Sequence, residues 1–247
     1  MYADDTVLLL SDENPNQLEV ASHIAFNMAV QYCHQNDLVI NEKKTQQLIL
    51  GRPKDNTCRL PESEDNNVTK YLGILIEDSL SWTPHIDHLC NKLSTGLFVV
   101  RRIKWIANAD TAKTAYHSLF ESHLRYGASV WGATTKHNLD RLLIIQKCAI
   151  RILAELQPRE SCRESSKTLN ILTVVNLYIM ETIIHHHLKS LQPLKTAGQM
   201  HHYNTRHRAN YCLPIHHRSL TERKPSYAGG KMWNALPLQD NWRTTFP

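Results

Sequence analysis

Apolar and polar positions change period along the 247 residues, and that change divides the chain. A short apolar run, Val7 to Leu10, follows Tyr2-Ala3-Asp4-Asp5 and ends in Ser11-Asp12, the pattern of an acidic turn feeding a buried strand. A helix is expected next. Asn14 is a good N-cap, Pro15 fits the first helical position, and Leu18, Ala21, Ala25, Met28 and Tyr32 recur at spacings of three and four until Asn36-Asp37 ends the run. Leu38 to Asn41 and Gln47 to Leu50 read as strands joined by Glu42-Lys43-Lys44-Thr45, a hairpin or a tight crossover. Residues 51–68 form a polar connection, and Thr69 to Ile76 is a further strand in which Gly73 marks a close approach of backbone or ligand.

From residue 83 the period becomes helical. Thr83 caps Pro84, and Ile86, Leu89, Leu93, Leu97 and Val100 mark one face; Asp110 is expected to cap a second helix carrying Ala112, Ala115, Tyr116, Leu119 and His123. Two longer helices follow. One holds Leu142, Ile145, Ala149 and Ile152, and the other starts at Thr173, holds Leu177, Met180, Ile184, Leu188 and Leu191, and stops at Pro193. Residues 194–247 lack a regular period and read as an irregular arm.

Composition narrows the class. With 42% hydrophobic residues the chain can fill a core, which excludes wholesale disorder. No apolar run approaches the roughly eighteen residues of a membrane span, and two carboxylates stand where a signal peptide would be basic. Six cysteines, widely spaced and without a CxxC pair, suit reduced thiols in an intracellular protein, nuclear or cytoplasmic. The formal charge of +5 hides a division: residues 1–100 carry 7 Lys and Arg against 14 Asp and Glu, whereas residues 101–247 carry 21 against 9 and hold eleven of the fifteen histidines. The two parts therefore face different partners.

Adjacent carboxylates at the tip of a strand are what two-metal phosphoryl transfer needs, because hard oxygen ligands hold magnesium beside phosphate oxygens. A lone pair of Asp residues also caps helices or lines solvated turns. Here Tyr2-Ala3-Asp4-Asp5 is followed in order by Leu38-Val39-Ile40-Asn41-Glu42-Lys43-Lys44-Thr45, Lys70-Tyr71-Leu72-Gly73-Ile74 and Leu80-Ser81-Trp82-Thr83-Pro84-His85-Ile86. Further on stand Ser122-His123-Leu124-Arg125-Tyr126-Gly127 with Val130-Trp131-Gly132, then Gln146-Lys147-Cys148-Ala149-Ile150-Arg151, Tyr203-Asn204-Thr205-Arg206, Pro225-Ser226-Tyr227 and Lys231-Met232-Trp233-Asn234.

This ordered run resembles the reverse transcriptase of non-LTR (LINE-type, jockey-like) retrotransposons, as a C-terminal fragment starting at the YADD motif. The resemblance implies an α+β architecture: a partial polymerase palm over residues 1–79, made of short antiparallel strands with a packed helix, then an α-helical thumb-like domain over 80–192 and a basic, aromatic-rich arm over 193–247. It implies an RNA-directed DNA polymerase that uses Mg2+ with an RNA template and a DNA primer. Asp4 and Asp5 match the catalytic, metal-binding turn, and Tyr2 the aromatic beside the template–primer end. Lys44 matches a lysine that neutralises or protonates the pyrophosphate leaving group; a solvated turn lysine is the alternative. Tyr71, Leu72 and Gly73 match the hairpin that grips the primer; relief of strand packing is the alternative for Gly73.

The family's metal site also takes a third carboxylate from a strand upstream of this hairpin. The 247 residues alone are therefore expected to be catalytically inactive, since positioning is most of phosphoryl-transfer catalysis. Two other readings stay open: a non-catalytic nucleic-acid-binding remnant, and a co-opted interaction protein whose basic face meets another protein.

Three features outside the catalytic motifs bear on function. His185-His186-His187 cannot converge on one ion, because successive helical residues lie about 100° apart, and a solvated helix edge with His187 bordering the apolar side is expected. Cys212 and His216 with His201, His202 or His207 offer only one cysteine, which disfavours a zinc knuckle. In the arm, Arg206, Arg208, Arg218, Arg223, Lys224 and Lys231 are interleaved with Tyr and Trp, a pattern suited to non-specific nucleic-acid binding through phosphate neutralisation and base stacking. The alternative is a solvated surface with the aromatics packed inside.

Overall fold

The structure, a computed structural model, describes residues 6–41, 44–51, 67–189, 194–201, 203 and 205–236. The architecture is α+β, mostly helical with one small antiparallel sheet. The chain forms two compact units, residues 1–84 and 85–247.

In the first unit, helix α1 spans Pro15–Gln35. Asn14 holds an extended backbone and its side-chain oxygen accepts from the Asn16 N–H at 3.0 Å, so the orphan donors of the first turn find a partner where Pro15 needs none. Asp37, at φ 55°, turns the chain out of the helix. No residue of α1 is buried. Strands β1 (Val68–Tyr71) and β2 (Ile74–Glu77) pair antiparallel with Tyr71 opposite Ile74. The single strand expected over 69–76 is thus a hairpin: Leu72 at φ 45° and Gly73 at φ 80° reverse the chain in a two-residue turn with both central residues left-handed. Glycine adopts that conformation without a Cβ clash, and leucine bears its cost.

Three further strands expected from the pattern do not form. Val7 to Leu10, Leu38 to Asn41 and Gln47 to Leu50 lie outside any strand, with Leu9 86% and Val39 97% exposed. A strand is satisfied only by a neighbour in a ladder, and among the described residues the pairing beside these segments stops at a single β-bridge at Gln46.

The second unit holds the core. Helix α2 (Thr83–Ile106) begins at Thr83 itself and buries Ile86, Leu89, Leu93, Gly96 and Val100. Helix α3 (Ala109–Tyr116) is capped by Asn108, whose side chain accepts from the Thr111 N–H at 2.8 Å; Asp110 sits inside the first turn instead of capping it. A π-helical segment, His117–Glu121, then joins α3 to α4 (Ser122–Arg125). The buried positions step from Tyr116 to Phe120 and Leu124, one residue beyond the expected Leu119 and His123, because the wider turn rotates the inner face.

Gly127, left-handed at φ 64°, breaks the chain before α5 (Ala128–Trp131). Helix α6 (Lys136–Ala154) buries Leu142, Gln146, Ala149, Ile150 and Leu153, and α7 (Arg163–Thr168) and α8 (Val174–Ile184) follow. Helix α8, capped by Thr173, runs into a second π-helical segment, His185–Lys189. Residues 196–234 are not irregular throughout. They contain α9 (Ala197–Met200), α10 (Ser219–Glu222) and α11 (Pro225–Asn234), and α11 packs on α8 and its π extension.

No helix among the described residues is long and apolar enough to cross a membrane.

Candidate nucleic-acid interface

The arm is fixed to the helical body by histidines and aromatics. His186 is 1% exposed and meets Tyr211 edge-on, with ring centroids 4.6 Å apart. His187 stacks on Trp233 at 4.5 Å and shares a hydrogen bond of 2.8 Å between Nδ1 and the Tyr211 hydroxyl. Asn234 completes the join: its Oδ1 accepts from the Tyr211 N–H at 2.8 Å and its Nδ2 donates to the Tyr211 carbonyl at 2.9 Å. Close approach is possible because Gly229 lies against the His186 side chain, with the Thr182 carbonyl 2.9 Å from where a Cβ would stand.

The expectation of a solvated histidine edge is corrected here. His186 is inside, and burial, followed by its neighbours His187 and His185, pushes its pKa down. Leu188, expected on the apolar face, is exposed, because the buried positions run through Leu177, Thr182 and His186.

This join presents the arm's basic residues to solvent. Arg206, Arg208, Arg218, Arg223, Lys224 and Lys231 are all exposed. Arg218 and Arg223 cap the two ends of α10, Lys224 caps α11, and Lys231 lies on α11, so these four gather around one short helix. Arg206 and Arg208 lie apart from them in sequence, on the turns between α9 and Tyr211. That loop is held by antiparallel pairing of Thr196 with Tyr211, and the Arg208 carbonyl accepts from the Gly198 N–H at 2.9 Å. Glu222 faces Lys231 at 3.5 Å and His216 at 3.6 Å, which compensates part of the charge around α10. The aromatics divide: Trp233 is buried and Tyr211 and Tyr227 are half-buried against histidines, whereas Tyr203 is 77% exposed. Packing of Tyr211, Tyr227 and Trp233 is not what an open stacking surface would show.

The remaining expected site residues are scattered. Tyr2, Asp4 and Asp5 lie outside the described residues. Lys44 is exposed in a tight turn, where its N–H donates to the Asn41 carbonyl at 3.0 Å. Tyr71 closes β1, and Leu72 and Gly73 form the hairpin turn. Among the described residues no group of His, Cys, Asp or Glu could hold a metal ion.

Two of the ordered motifs serve the fold. In the first, the Trp131 indole donates to the Tyr126 carbonyl at 2.9 Å and Gly132 lets α5 meet Tyr178 of α8. Arg125 pairs with Glu181 at 2.7 Å beside an open cleft of about 490 Å³ that Ser122, Ser129 and His185 also line. In the second, Gln146 is buried and its amide is engaged at both ends, by the Leu172 carbonyl and the Val174 N–H. The pairings of Arg125 and Gln146 are not visible in sequence, since their partners lie 26 or more residues away.

No family model matches the chain, and no solved structure does. Two curated proteins do. The chain is 24% identical to the "Retrovirus-related Pol polyprotein from type-1 retrotransposable element R1 3" of Nasonia vitripennis, over 53% of this chain and 37% of that protein. It is 22% identical to the "Probable RNA-directed DNA polymerase from transposon BS" of Drosophila melanogaster, over 62% of this chain and 18% of that protein. The chain is thus similar, at modest identity over part of its length, to Pol proteins of non-LTR retrotransposons, and the match spans well under half of each relative.

Proposed function

We propose that this chain is a C-terminal segment of a non-LTR retrotransposon reverse transcriptase, whose complete form carries out RNA-directed DNA synthesis by two-metal nucleotidyl transfer. The observation that carries the reading is the similarity to two retrotransposon Pol proteins, one of them called an RNA-directed DNA polymerase. In the proposed arrangement residues 1–79 contribute to the palm, 80–192 form a thumb-like domain and 193–247 a basic arm. Asp4 and Asp5 are ligands for Mg2+, which when bound offsets the charge that develops on phosphate oxygens. Tyr2 meets the template–primer end, Lys44 meets the leaving pyrophosphate, and Tyr71, Leu72 and Gly73 grip the primer. The hairpin turn at Leu72-Gly73 supports the last role, since a tight left-handed turn projects backbone that a nucleic-acid strand can approach.

A polypeptide of these 247 residues alone is proposed to bind RNA and DNA without polymerising. The exposure of all six arm bases supports the binding half. The same observation favours a second reading, a non-catalytic nucleic-acid-binding remnant or co-opted interaction protein, in which Asp4 and Asp5 have no role. Primer extension with Mg2+ tests the first half: the isolated chain should give no templated product. Joining it to the preceding part of a related Pol protein should give product that is lost in Asp4→Asn with Asp5→Asn. Persistence of product in that double variant would remove the carboxylates from the chemistry.

A further inference from the structure

Helix α2 has a second face that the core does not use. Opposite its buried residues, Ser94, Thr95, Phe98, Arg101, Arg102 and Trp105 recur at helical spacing and are all exposed. Trp105 is 84% exposed and Phe98 58%, a large aromatic area to leave on the surface of a packed unit. The Arg102 guanidinium lies over the Phe98 ring, 5.4 Å from its centroid, as cations do over an aromatic face. From Leu89 to Ala109 the sequence has no Asp or Glu and four Lys or Arg. Of these four, Lys104 pairs with Glu155 at 2.8 Å, and Lys92, Arg101 and Arg102 make no ion pair among the described residues.

The face is carried by a well-anchored helix. Gly96 lets α2 cross the following π-helical segment so closely that a Cβ would come within 2.9 Å of the Leu119 carbonyl oxygen. Trp105 lies seven positions beyond Phe98, about 10.5 Å along the helix, comparable with three stacked nucleotides at about 3.4 Å each.

We infer that this face of α2 is a platform for single-stranded nucleic acid, with bases stacked on Phe98 and Trp105 and phosphates held by Arg101 and Arg102. Stacking requires an unpaired base face, which a duplex hides and a single strand offers. The lack of carboxylates suits a polyanion. The neutral, hydrogen-bonding Ser94 and Thr95 at the other end of the face are poorly suited to sinking into a lipid surface. The inference rests on the nucleic-acid reading proposed above, but it uses a surface separate from the arm's six bases.

Fluorescence anisotropy of a labelled single strand of about 15 nucleotides, near the upper site size of such proteins, tests it on the full 247-residue chain. The variants are Trp105→Ala, Phe98→Ala, Trp105→Phe and an arm variant with Arg206→Glu and Arg208→Glu, each checked for helicity by circular dichroism. Trp105→Ala should weaken binding about 5- to 100-fold, the worth of one stacked base, while Trp105→Phe retains most of it and a blunt duplex of the same sequence shows no such dependence. Unchanged affinity in both alanine variants, with loss in the arm variant, overturns the platform and leaves the arm reading standing. Equal loss on the duplex overturns the single-strand assignment, as does Trp105-dependent binding of anionic lipid vesicles without any effect on the oligonucleotide. A wild-type chain that binds no nucleic acid at low salt removes the broader reading together with this one.

Discussion

Gln146, in the middle of α6, donates from Nε2 to the Tyr116 hydroxyl at 3.0 Å across the core of the helical unit. The same Nε2 donates to the Leu172 carbonyl at 2.8 Å, and Oε1 accepts from the Val174 N–H at 2.9 Å. One amide side chain thus ties α3 to α6 and satisfies an orphan donor at the start of α8. Burial pushes the Tyr116 hydroxyl well above its ordinary pKa, so it stays a neutral partner at any physiological pH.

Replacing this glutamine should therefore be costly. Gln146→Leu removes three hydrogen bonds and strands the Val174 N–H and the Leu172 carbonyl, at about 2–4 kcal/mol. Tyr116→Phe, which loses one bond from a side chain that keeps its packing, should cost about 1 kcal/mol. Urea denaturation followed by circular dichroism measures both; a Gln146→Leu midpoint equal to wild type would contradict the network.

Acid should loosen the same unit through His85. Its ring packs against Trp131 at 5.9 Å, and burial, with smaller contributions from His88 and Lys92, lowers its pKa from 6.5 to about 4. The unfolded chain therefore takes up the proton first, and this contribution is complete above about pH 6.5, declines as pH falls toward 4, and is flat below. The loss amounts to at most about 3 kcal/mol. Midpoints measured from pH 7.5 to 4.5 should fall less steeply in His85→Phe than in wild type; parallel curves would exclude His85 as the source.

Docking of α11 depends on the absence of a side chain at Gly229. Gly229→Val places methyl groups against His186 and the Thr182 carbonyl, an overpacking that costs about 1–3 kcal/mol. Limited proteolysis should then cut between residues 194 and 224 at lower protease concentration, while the remaining helical core stays protected. Cleavage unchanged from wild type would contradict the packing.

Local signals are legible where the cause is local. Asn14 with Pro15 locates α1, Thr173 locates the start of α8, and Leu89, Leu93 and Val100 name the inner face of α2. The pattern misleads where a partner decides. The apolar runs at residues 7–10 and 38–41 have strand composition but no ladder among the described residues. The inward step from Leu119 to Phe120 follows from a π-helical turn that no spacing rule announces. Of the candidate site, the exposure of the six arm bases follows from charge alone. The burial of His186 and Trp233 does not, because each is covered by residues more than 20 positions away. The outer face of α2 is invisible to periodicity, which marks the buried stripe and not what lies opposite.

Salt-dependent binding of nucleic acid by the isolated 247-residue chain tests the central claim most directly. Affinity for a labelled oligonucleotide should fall linearly on a log–log scale with salt. Neutralising Arg218, Arg223 and Lys224 to Gln should weaken binding to all sequences alike and reduce the slope by roughly one for each phosphate that the chain no longer neutralises. No binding at low salt, or a slope unchanged by the triple substitution, would contradict the account.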